Sequence, residues 1–419
     1  MKTKTHRTKQ MIILFCIGFV GLGFPYAISA FLGAQPIQSC KATLGSQSEF
    51  SITQLPNHQT AFNDVRLKEA KRSNIFHLER IGSIPTELQD KPGRRQVSHI
   101  QFINDAQGWV SLNGELWYTL THGQTWEMIH RDRANSIRYF EFINPQAGWL
   151  LVSGKLYKTQ DGGRTWEVIN QPINSNDIGN LLCFKLLKNG KEAWAGGSVF
   201  HPIPQNGPDS DGPPTRYMSL DGKKGLRGAI FHTTDAGNTW HQQLCGDWGY
   251  ISNLFLINAE DGWASGMAGT YYYKGDEWHA IGSQGSPKYR RLPRCLEAEA
   301  GFPSAEPIQL YFINNKYGWL SNSNGRLGKS SDGGRTWADA FLVMRNKEDD
   351  LPIFFRELFF TDRNNGLALD NRGFLHESID GGANWDQIQT NVRILSIELL
   401  DNNSGYALGN NGFYKFVLN

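Results

Sequence analysis

The sequence predicts an all-β fold, a seven-bladed β-propeller of four-stranded antiparallel blades, closed by an N-terminal strand that joins the C-terminal blade. Two repeated motifs carry this prediction: an Asp-Gly turn that ends in Trp, and an upstream Phe-Ile-Asn segment followed by Gly-Trp. The copies recur at roughly 40 to 50 residues, which is typical of propeller blades. The 45 glycines and 13 tryptophans fit such a turn-rich and strand-rich chain.

The Asp-Gly turn is clearest at Thr159–Trp166. We expect its Asp to accept hydrogen bonds from backbone N–H groups one or two residues ahead, its second Gly to adopt positive φ, and its Trp to pack between sheets. A copy with Thr121 in place of Asp favours a structural role over catalysis. The turn residues predicted to be structural are Asp161, Gly163, Trp166, Asp235, Gly237, Trp240, Asp332, Gly334, Trp337, Asp380, Gly382 and Trp385.

The Phe-Ile-Asn segments mark the innermost strand of each blade. The seventh unit ends at Asn419 without a fourth strand of its own. We expect the segment Ile75–Ile81 to supply that strand, which closes the ring and hides both sheet edges. The predicted inner strands begin near Val97, Ile137, Leu182, Ile251, Pro307, Phe355 and Ile394.

The N-terminal region differs from the repeats. Residues 1–40 combine a basic start with an apolar run over 11–36, which indicates a signal peptide or a membrane anchor, and cleavage is left open. Residues 41–74 are predicted to be a tether, in which 63–72 forms either a short helix or a flexible segment. The propeller is assigned to 75–419. We expect an exported protein, associated with the membrane through its N-terminus.

Two blades carry insertions, at about 198–227 and 282–306, and the first is predicted to be a long exposed loop. Cys245 and Cys295, both expected in loops on one face, are candidates for a disulfide in an oxidising compartment. No spacing fits a metal site or a phosphate-binding loop, so no metal and no cofactor is expected.

The turn motif Ser/Thr-x-Asp-x-Gly-x-Thr-Trp is the Asp-box, or bacterial neuraminidase repeat, and Thr159–Trp166 and Ser330–Trp337 match it in full. Combined with the upstream Gly-Trp motif in seven units behind an export signal, the chain resembles the photosystem II stability/assembly factor family of cyanobacteria and plastids over about 75–419. The resemblance implies a non-enzymatic propeller of the thylakoid lumen or periplasm that binds a precursor reaction-centre protein, with an arginine-rich patch near one face. The two insertions and the long tether depart from the family pattern.

The candidate partner-binding residues are arginines at the inner-strand starts, with Arg131 and Arg133 in a connecting loop on the same side and the arginines of the loop 288–294, which we expect to emerge there too. Inner strands begin beside the central channel, so residues at those starts share one rim, where guanidinium groups can bind carboxylates of a partner peptide or anionic lipid. No family arginine is transferred individually, because no local motif fixes one. The candidates are Arg95, Arg131, Arg133, Arg138, Arg290, Arg291, Arg294, Arg356 and Arg393.

Two other functions remain as alternatives. A sialidase-like glycosidase needs a Phe/Tyr-Arg-Ile-Pro segment before the first Asp-box, and none precedes Trp126. No nucleophile elbow or paired-His metal motif is present either, so no catalytic residue is predicted. An exported propeller that binds envelope glycan or protein is the other alternative. The net charge of +2 gives no general nucleic-acid signal, and we expect a monomer.

Overall fold

A computed structural model describes residues 68–71, 76–84, 97–131, 137–172, 178–203, 218–219, 222–281, 290–291, 296–297, 307–338, 352–401 and 403–418. The chain divides into two units, Met1–Asn63 and Asp64–Asn419, and every described residue belongs to the second. The predicted signal or anchor therefore lies outside the described residues. None of the described residues lies in a helix long and apolar enough to cross a membrane.

The described residues form seven blades, which confirms the predicted fold class. Blades 1 to 3 contain β3 (Val97–Phe102), β4 (Gly108–Leu112), β5 (Glu115–Thr119), β6 (Glu127–Arg131), β7 (Ile137–Phe142), β8 (Gly148–Val152), β9 (Lys155–Thr159), β10 (Glu167–Val168), β11 (Ile178–Leu186), β12 (Ala193–Pro202), β13 (Lys224–Thr233) and β14 (His241–Trp248). Blades 4 and 5 contain β15 (Asn253–Leu256), β16 (Gly262–Gly266), β17 (Gly269–Lys274), β18 (Glu277–Ala280), β21 (Pro307–Phe312), β22 (Gly318–Asn322) and β23 (Leu327–Ser330).

Blade 6 contains β24 (Phe355–Phe360), β25 (Gly366–Asp370), β26 (Leu375–Ser378) and β27 (Asp386–Ile388), and blade 7 contains β28 (Ile394–Leu399), β29 (Ser404–Gly409) and β30 (Gly412–Leu418). The remaining strands are β1 (Lys68–Lys71), β2 (Phe76–Gly82), β19 (Arg290–Arg291) and β20 (Leu296–Glu297). Strands within each blade are antiparallel neighbours in chain order, so the first strand of each blade is innermost.

The inner strands form a closed ring. Each of the seven contacts the inner strand of the next blade, and β28 of blade 7 contacts β3 of blade 1. The strand β2 pairs antiparallel with β30, so that Phe76 lies opposite Leu418 and Arg80 lies opposite Tyr414. Blade 7 thus has four strands, one of which comes from the N-terminal side of blade 1. This pairing covers a sheet edge that would otherwise be open.

Several predicted boundaries differ from the structure. The inner strands of blades 3 and 4 begin at Ile178 and Asn253 rather than near Leu182 and Ile251. Within 63–72, the described residues 68–71 form the strand β1, which pairs parallel with β27, instead of a helix or flexible tether. Four residues are too few to show the alternation of polar and apolar residues that predicts a strand. The strand β1 forms because it pairs with β27.

The first insertion is partly strand rather than a loop throughout. β12 and β13 pair from Ala193 opposite Thr233 as far as Pro202 opposite Lys224, so the hairpin extends into both ends of the predicted loop. Residues 204–217 and most of the second insertion lie outside the described residues. Within the second, β19 pairs with β20.

Each Asp-box closes its own turn, but at a longer spacing than predicted. Asp161 Oδ1 accepts the N–H of Thr165, four residues ahead, at 2.9 Å, and Asp161 Oδ2 accepts the Thr165 hydroxyl at 2.6 Å. The Thr159 hydroxyl donates to Asp161 and accepts the N–H of Gly163, whose φ is 95°. The same bonds recur at Asp235 and Asp332, and at Asp380 the side-chain amide of Asn384 replaces the Thr hydroxyl as donor.

Tryptophans of the Gly-Trp motif join neighbouring blades. Trp109 of blade 1 stacks on Phe142 of blade 2 at 3.8 Å and donates its indole N–H to the carbonyl of Gly162 in the next Asp-box. Trp263 and Trp319 make the equivalent stack and hydrogen bond with blades 5 and 6. At the closure, Tyr406 stacks on Phe102 at 3.7 Å and donates its hydroxyl to Asp105. The two sequence motifs therefore act together, one blade supplying the Trp and the next supplying its acceptor.

Candidate partner-binding face

The propeller has two distinct faces. At one, which we call the strand-start face, inner strands begin and second strands end, as Phe355 opposite Asp370 shows in blade 6. Turns between second and third strands also lie there. The opposite, turn face carries the Asn turns and the Asp-boxes, which contact each other through the N–H of Gly162 and the carbonyl of Gln146. Because successive strands run in opposite directions, the position of a residue at the start or the end of its strand decides on which face it lies.

Several of the nine candidate arginines lie outside what the structure describes. Arg95, Arg133 and Arg294 are outside the described residues, and Arg290 and Arg291 are described only as backbone of β19. Whether these five contribute to a binding surface stays a prediction. The other four, Arg131, Arg138, Arg356 and Arg393, all lie at the strand-start face.

Arg131 ends an outermost strand, and Arg393 directly precedes an inner strand. Arg131 was predicted to be in a connecting loop but ends strand β6, where its guanidinium pairs with Glu115 at 2.9 Å. Glu115 is buried, so this arginine compensates a buried charge. Arg393 is exposed just before β28, with its guanidinium 5.6 Å from the centre of the Phe374 ring. The guanidinium of Arg393 makes no hydrogen bond or ion pair with a described residue, which leaves its charge available to a partner.

Arg138 and Arg356 lie at the mouth of the central channel and bind the next blade. Arg138 Nε donates to the carbonyl of Leu182 at 2.7 Å, and Arg356 donates to the carbonyl of Leu395. Both side chains therefore have a structural role, while their charge still contributes to the field at the mouth of the channel.

Three further arginines of this face were missed by sequence reasoning. Arg326 and Arg372 lie in turns between second and third strands, and Arg80 of β2 donates to the carbonyl of Asn411 in the equivalent turn of blade 7. The signal was available, because an antiparallel meander returns to its starting face after two strands.

Arg372 is held by a buried polar cluster. Its guanidinium donates two hydrogen bonds to Asp370 Oδ2, at 3.1 and 2.9 Å, and His376 lies 3.1 Å from the same oxygen. Burial opposes ionisation of Asp370, but the hydrogen bond and charge of His376 outweigh it and lower the pKa of the carboxyl. Arg372 and Arg393 flank the ring of Phe374 at 5.1 and 5.6 Å. Two guanidinium groups thus share one aromatic support at the surface.

The central channel has a volume of about 1000 Å³ and is lined by the inner strands of all seven blades. The penultimate residues of these strands form one ring around it, here called the penultimate ring. Four successive blades, from 7 to 3, contribute polar residues to the ring, and blades 4 to 6 contribute aromatic ones. Its members are Glu398, Gln101, Glu141, Lys185, Phe255, Tyr311 and Phe359.

Most polar members of the ring bind a neighbouring blade. Gln101 exchanges two hydrogen bonds with the backbone of Phe142, at 2.9 and 2.8 Å. Glu141 accepts the N–H of Leu186 at 2.9 Å and forms an ion pair with Lys185. These bonds extend the β-ladder across blade junctions through side chains, so polar residues at the channel serve first to hold the ring together.

Burial perturbs the titratable groups of the channel. Desolvation, assisted by the charge of Lys185, lowers the pKa of His99 to about 3, so this imidazole is neutral. Desolvation raises the pKa of Cys183 to about 12 and leaves the thiol unreactive. The described residues contain no group of three or more His, Cys, Asp or Glu placed to hold a metal ion.

Cys245 is disulfide-bonded, but its predicted loop position is wrong, because it lies in strand β14. The proposed partner, Cys295, lies outside the described residues. β14 packs beside β20, whose first residue is Leu296. The pairing of Cys245 with Cys295 remains a prediction.

Comparison with known proteins places the chain near one group. No protein-family model matches it. The chain is 25% identical over 179 residues to the photosystem II assembly protein Ycf48 of Synechococcus sp. (strain JA-3-3Ab), a match that spans 35% of this chain and 52%, about half, of that relative. A solved structure described as YCF48 bound to D1 peptide aligns with a TM-score of 0.54 and 19% identity over 84% of this chain and 99% of that one.

A streptogramin B lyase structure aligns almost as well, with a TM-score of 0.52 and 11% identity over 82% of this chain and 98% of its own. At such identities structural likeness establishes the fold alone, and propellers host enzymes as well as binding proteins. The sequence relative, together with the repeated motifs, separates these two neighbours. The chain is thus weakly similar in sequence to a Ycf48 photosystem II assembly protein and shares the propeller fold of a YCF48 structure, in line with the resemblance that the Asp-box and Gly-Trp repeats indicated.

Proposed function

We propose that this protein is a non-enzymatic, exported assembly factor that binds a subunit of a membrane complex, and most specifically the precursor of a photosystem II reaction-centre protein. The observation that carries the proposal is the similarity to Ycf48, which is named a photosystem II assembly protein, and to a YCF48 structure bound to a D1 peptide. Because the sequence match spans about half of that relative, the partner is transferred here as a proposal.

The strand-start face supplies the binding chemistry. It carries Arg80, Arg131, Arg138, Arg326, Arg356, Arg372 and Arg393 among the described residues. The guanidinium groups of Arg372 and Arg393 are pre-positioned on Phe374, which lowers the entropic cost of ordering them when a carboxylate binds. An acidic peptide segment is therefore the class of ligand that this face fits.

The test is affinity capture from solubilised membranes of a photosynthetic host. Tagged protein is expected to recover newly made reaction-centre precursor, and Arg393→Glu is expected to recover several-fold less. Lys316→Glu is the matched control, since Lys316 is an exposed cation of the turn face. Recovery of envelope proteins alone, or equal recovery by Arg393→Glu, would count against the proposal.

A further inference from the structure

Glu398 differs from the other acceptors of the penultimate ring. Gln101 and Glu141 each accept a backbone N–H from the next blade. The carboxyl of Glu398 has no hydrogen-bond partner among the described residues, although Glu398 occupies the equivalent place in blade 7 and lines the same cavity. A partly buried carboxyl that faces a cavity without a partner is available to a ligand.

The charges around Glu398 leave it uncompensated. It is within electrostatic range of Lys185 from β11, Glu141 from β7 and Glu357 from β24. Lys185 is already paired with Glu141. Glu357 accepts the N–H of Ile397 at 2.6 Å and lies beside the charge of Arg356.

Other charged groups of the cavity are engaged elsewhere or lie at its ends. Arg138 donates to the backbone at the strand-start mouth, and Lys188 follows β11 toward the turn face. His99 of β3 is neutral. Two hydroxyls, those of Tyr139 and Tyr311, also experience the charge of Glu398. No described cation is therefore dedicated to this carboxyl.

The part of the penultimate ring that blades 4 to 6 contribute is aromatic. Tyr311 packs edge-on against Phe255 at 5.4 Å and against Phe359 at 5.7 Å, which gives a continuous arc across three blades. Aromatic faces attract cations, most strongly where water is excluded. The carboxylate of Glu398 and the aromatic arc line the same channel, and both favour a positively charged ligand.

We propose that the central channel binds an organic cation, a guanidinium or ammonium group on a short aliphatic chain, between Glu398 and the arc of Phe255, Tyr311 and Phe359. The cation comes either from a small free molecule or from an arginine or lysine side chain of a partner. This site does not depend on the strand-start face, so Arg393→Glu is expected to leave it unchanged.

Isothermal titration of the whole protein with propylguanidinium tests the proposal, with the neutral isostere propylurea as the matched probe. We expect one binding site for propylguanidinium and at least tenfold weaker binding of propylurea. Glu398→Gln and Phe359→Leu are each expected to weaken propylguanidinium binding about tenfold or more. Glu277→Gln, at an exposed carboxylate of blade 4, should bind as the unchanged protein does. Equal binding of the two probes, or unchanged binding by Glu398→Gln, would overturn the proposal.

A second measurement needs no variant. Burial, together with the neighbouring carboxylates of Glu357 and Glu141 and against the charge of Lys185, raises the pKa of Glu398 to about 8. Because the cation binds the ionised carboxyl, affinity should rise about tenfold per pH unit up to pH 8 and then level off, with a proton released on binding. Affinity that does not change with pH would contradict the assignment.

The two sources of the cation are separated by a capped Gly-Arg-Gly peptide and its citrulline counterpart. Binding of the arginine peptide at least tenfold tighter than propylguanidinium, with no citrulline binding, identifies a partner side chain. Tighter binding of propylguanidinium identifies a small free cation. Failure of both cations to bind at millimolar concentration would refute the site.

Discussion

Short polar side chains fix the turns of this protein one residue at a time. Asn104, Asn144 and Asn314 each accept two backbone N–H groups, two and three residues ahead, where the chain leaves an inner strand. The Asp-box uses the same device at a spacing of four. The residue types were predictable, whereas the spacing was not, because it depends on the positive φ values of the turn, which occur at Gly163 and also at Ala236.

Asp332→Ala should lower the free energy of unfolding by about 1–2 kcal/mol at neutral pH, because two hydrogen bonds from Thr336 are lost. Burial opposes ionisation of Asp332, but those bonds outweigh it and lower its pKa. The contribution of the carboxylate is therefore complete above its unfolded pKa and is lost as pH falls below about 4. Urea unfolding from pH 7 to pH 2.5 should show the variant and the unchanged protein converging.

Thr121→Asp is the matched reverse change. Thr121 accepts the N–H of Thr125 with its single hydroxyl, so a carboxylate there restores the second acceptor. It should stabilise the fold by about 0.5–1 kcal/mol at neutral pH. Destabilisation by this variant would show that the Asp-box geometry is not transferable between blades.

Glu398→Gln should stabilise the protein at high pH and not at low pH. The folded pKa of about 8 exceeds the unfolded value, so the folded state holds a proton that the unfolded chain releases. Stability associated with this group is complete below about pH 4 and is lost as pH rises through 8. The difference between variant and unchanged protein, measured by urea unfolding, should therefore grow from pH 5 to 8 and then stay constant. A difference independent of pH would contradict the raised pKa.

At the scale of elements, strand order and blade number followed from the motifs, because each blade repeats the same burial pattern. The joints between blades did not. Side chains that stack across a junction are separated by more than 30 residues, as Trp109 and Phe142 are, and no local pattern identifies the partner. Likewise β1 and the extension of β12 depend on a neighbouring strand rather than on their own sequence.

Trp319→Ala should cost about 3–5 kcal/mol, since it removes a fully buried ring, its stack on Phe360 and its bond to Gly381. Leu367 occupies the equivalent place in blade 6, beside a cavity of about 200 Å³ that Leu399 of blade 7 also lines. Leu367→Trp should therefore leave stability unchanged or raise it. Thermal unfolding of both variants measures these changes. A decrease in the free energy of unfolding below about 1 kcal/mol for Trp319→Ala would show that the Trp319 contact does not hold blades 5 and 6 together.

At the scale of the whole molecule, ring closure makes the blades one cooperative unit. A chain shortened to begin at residue 85 lacks β2, leaves the outer edge of β30 without a partner strand and should unfold in more than one step with a large loss of stability. Circular dichroism against urea measures this. A chain that begins at residue 64 keeps both β1 and β2 and is the control. A single unchanged transition in the shorter chain would mean that β2 does not close the ring.

The candidate binding face was only partly predictable at this scale. Arg131, Arg138, Arg356 and Arg393 lie on one face of the structure, and their role in binding a partner stays a prediction. Sequence alone could not show that Arg138 and Arg356 bind backbone carbonyls, while Arg393 has no such bond among described residues. That distinction needs the distance between blades, and it singles out Arg393 for the test below.

The most direct test of the account is binding of a fluorescently labelled acidic peptide, the class of ligand proposed for the strand-start face, followed by anisotropy at two salt concentrations. We predict that Arg393→Glu weakens binding about tenfold, that Lys316→Glu on the opposite face has no effect, and that added salt weakens binding of the unchanged protein. Equal affinity for Arg393→Glu and the unchanged protein, or loss of binding in Lys316→Glu alone, would show that the strand-start face is not the docking surface.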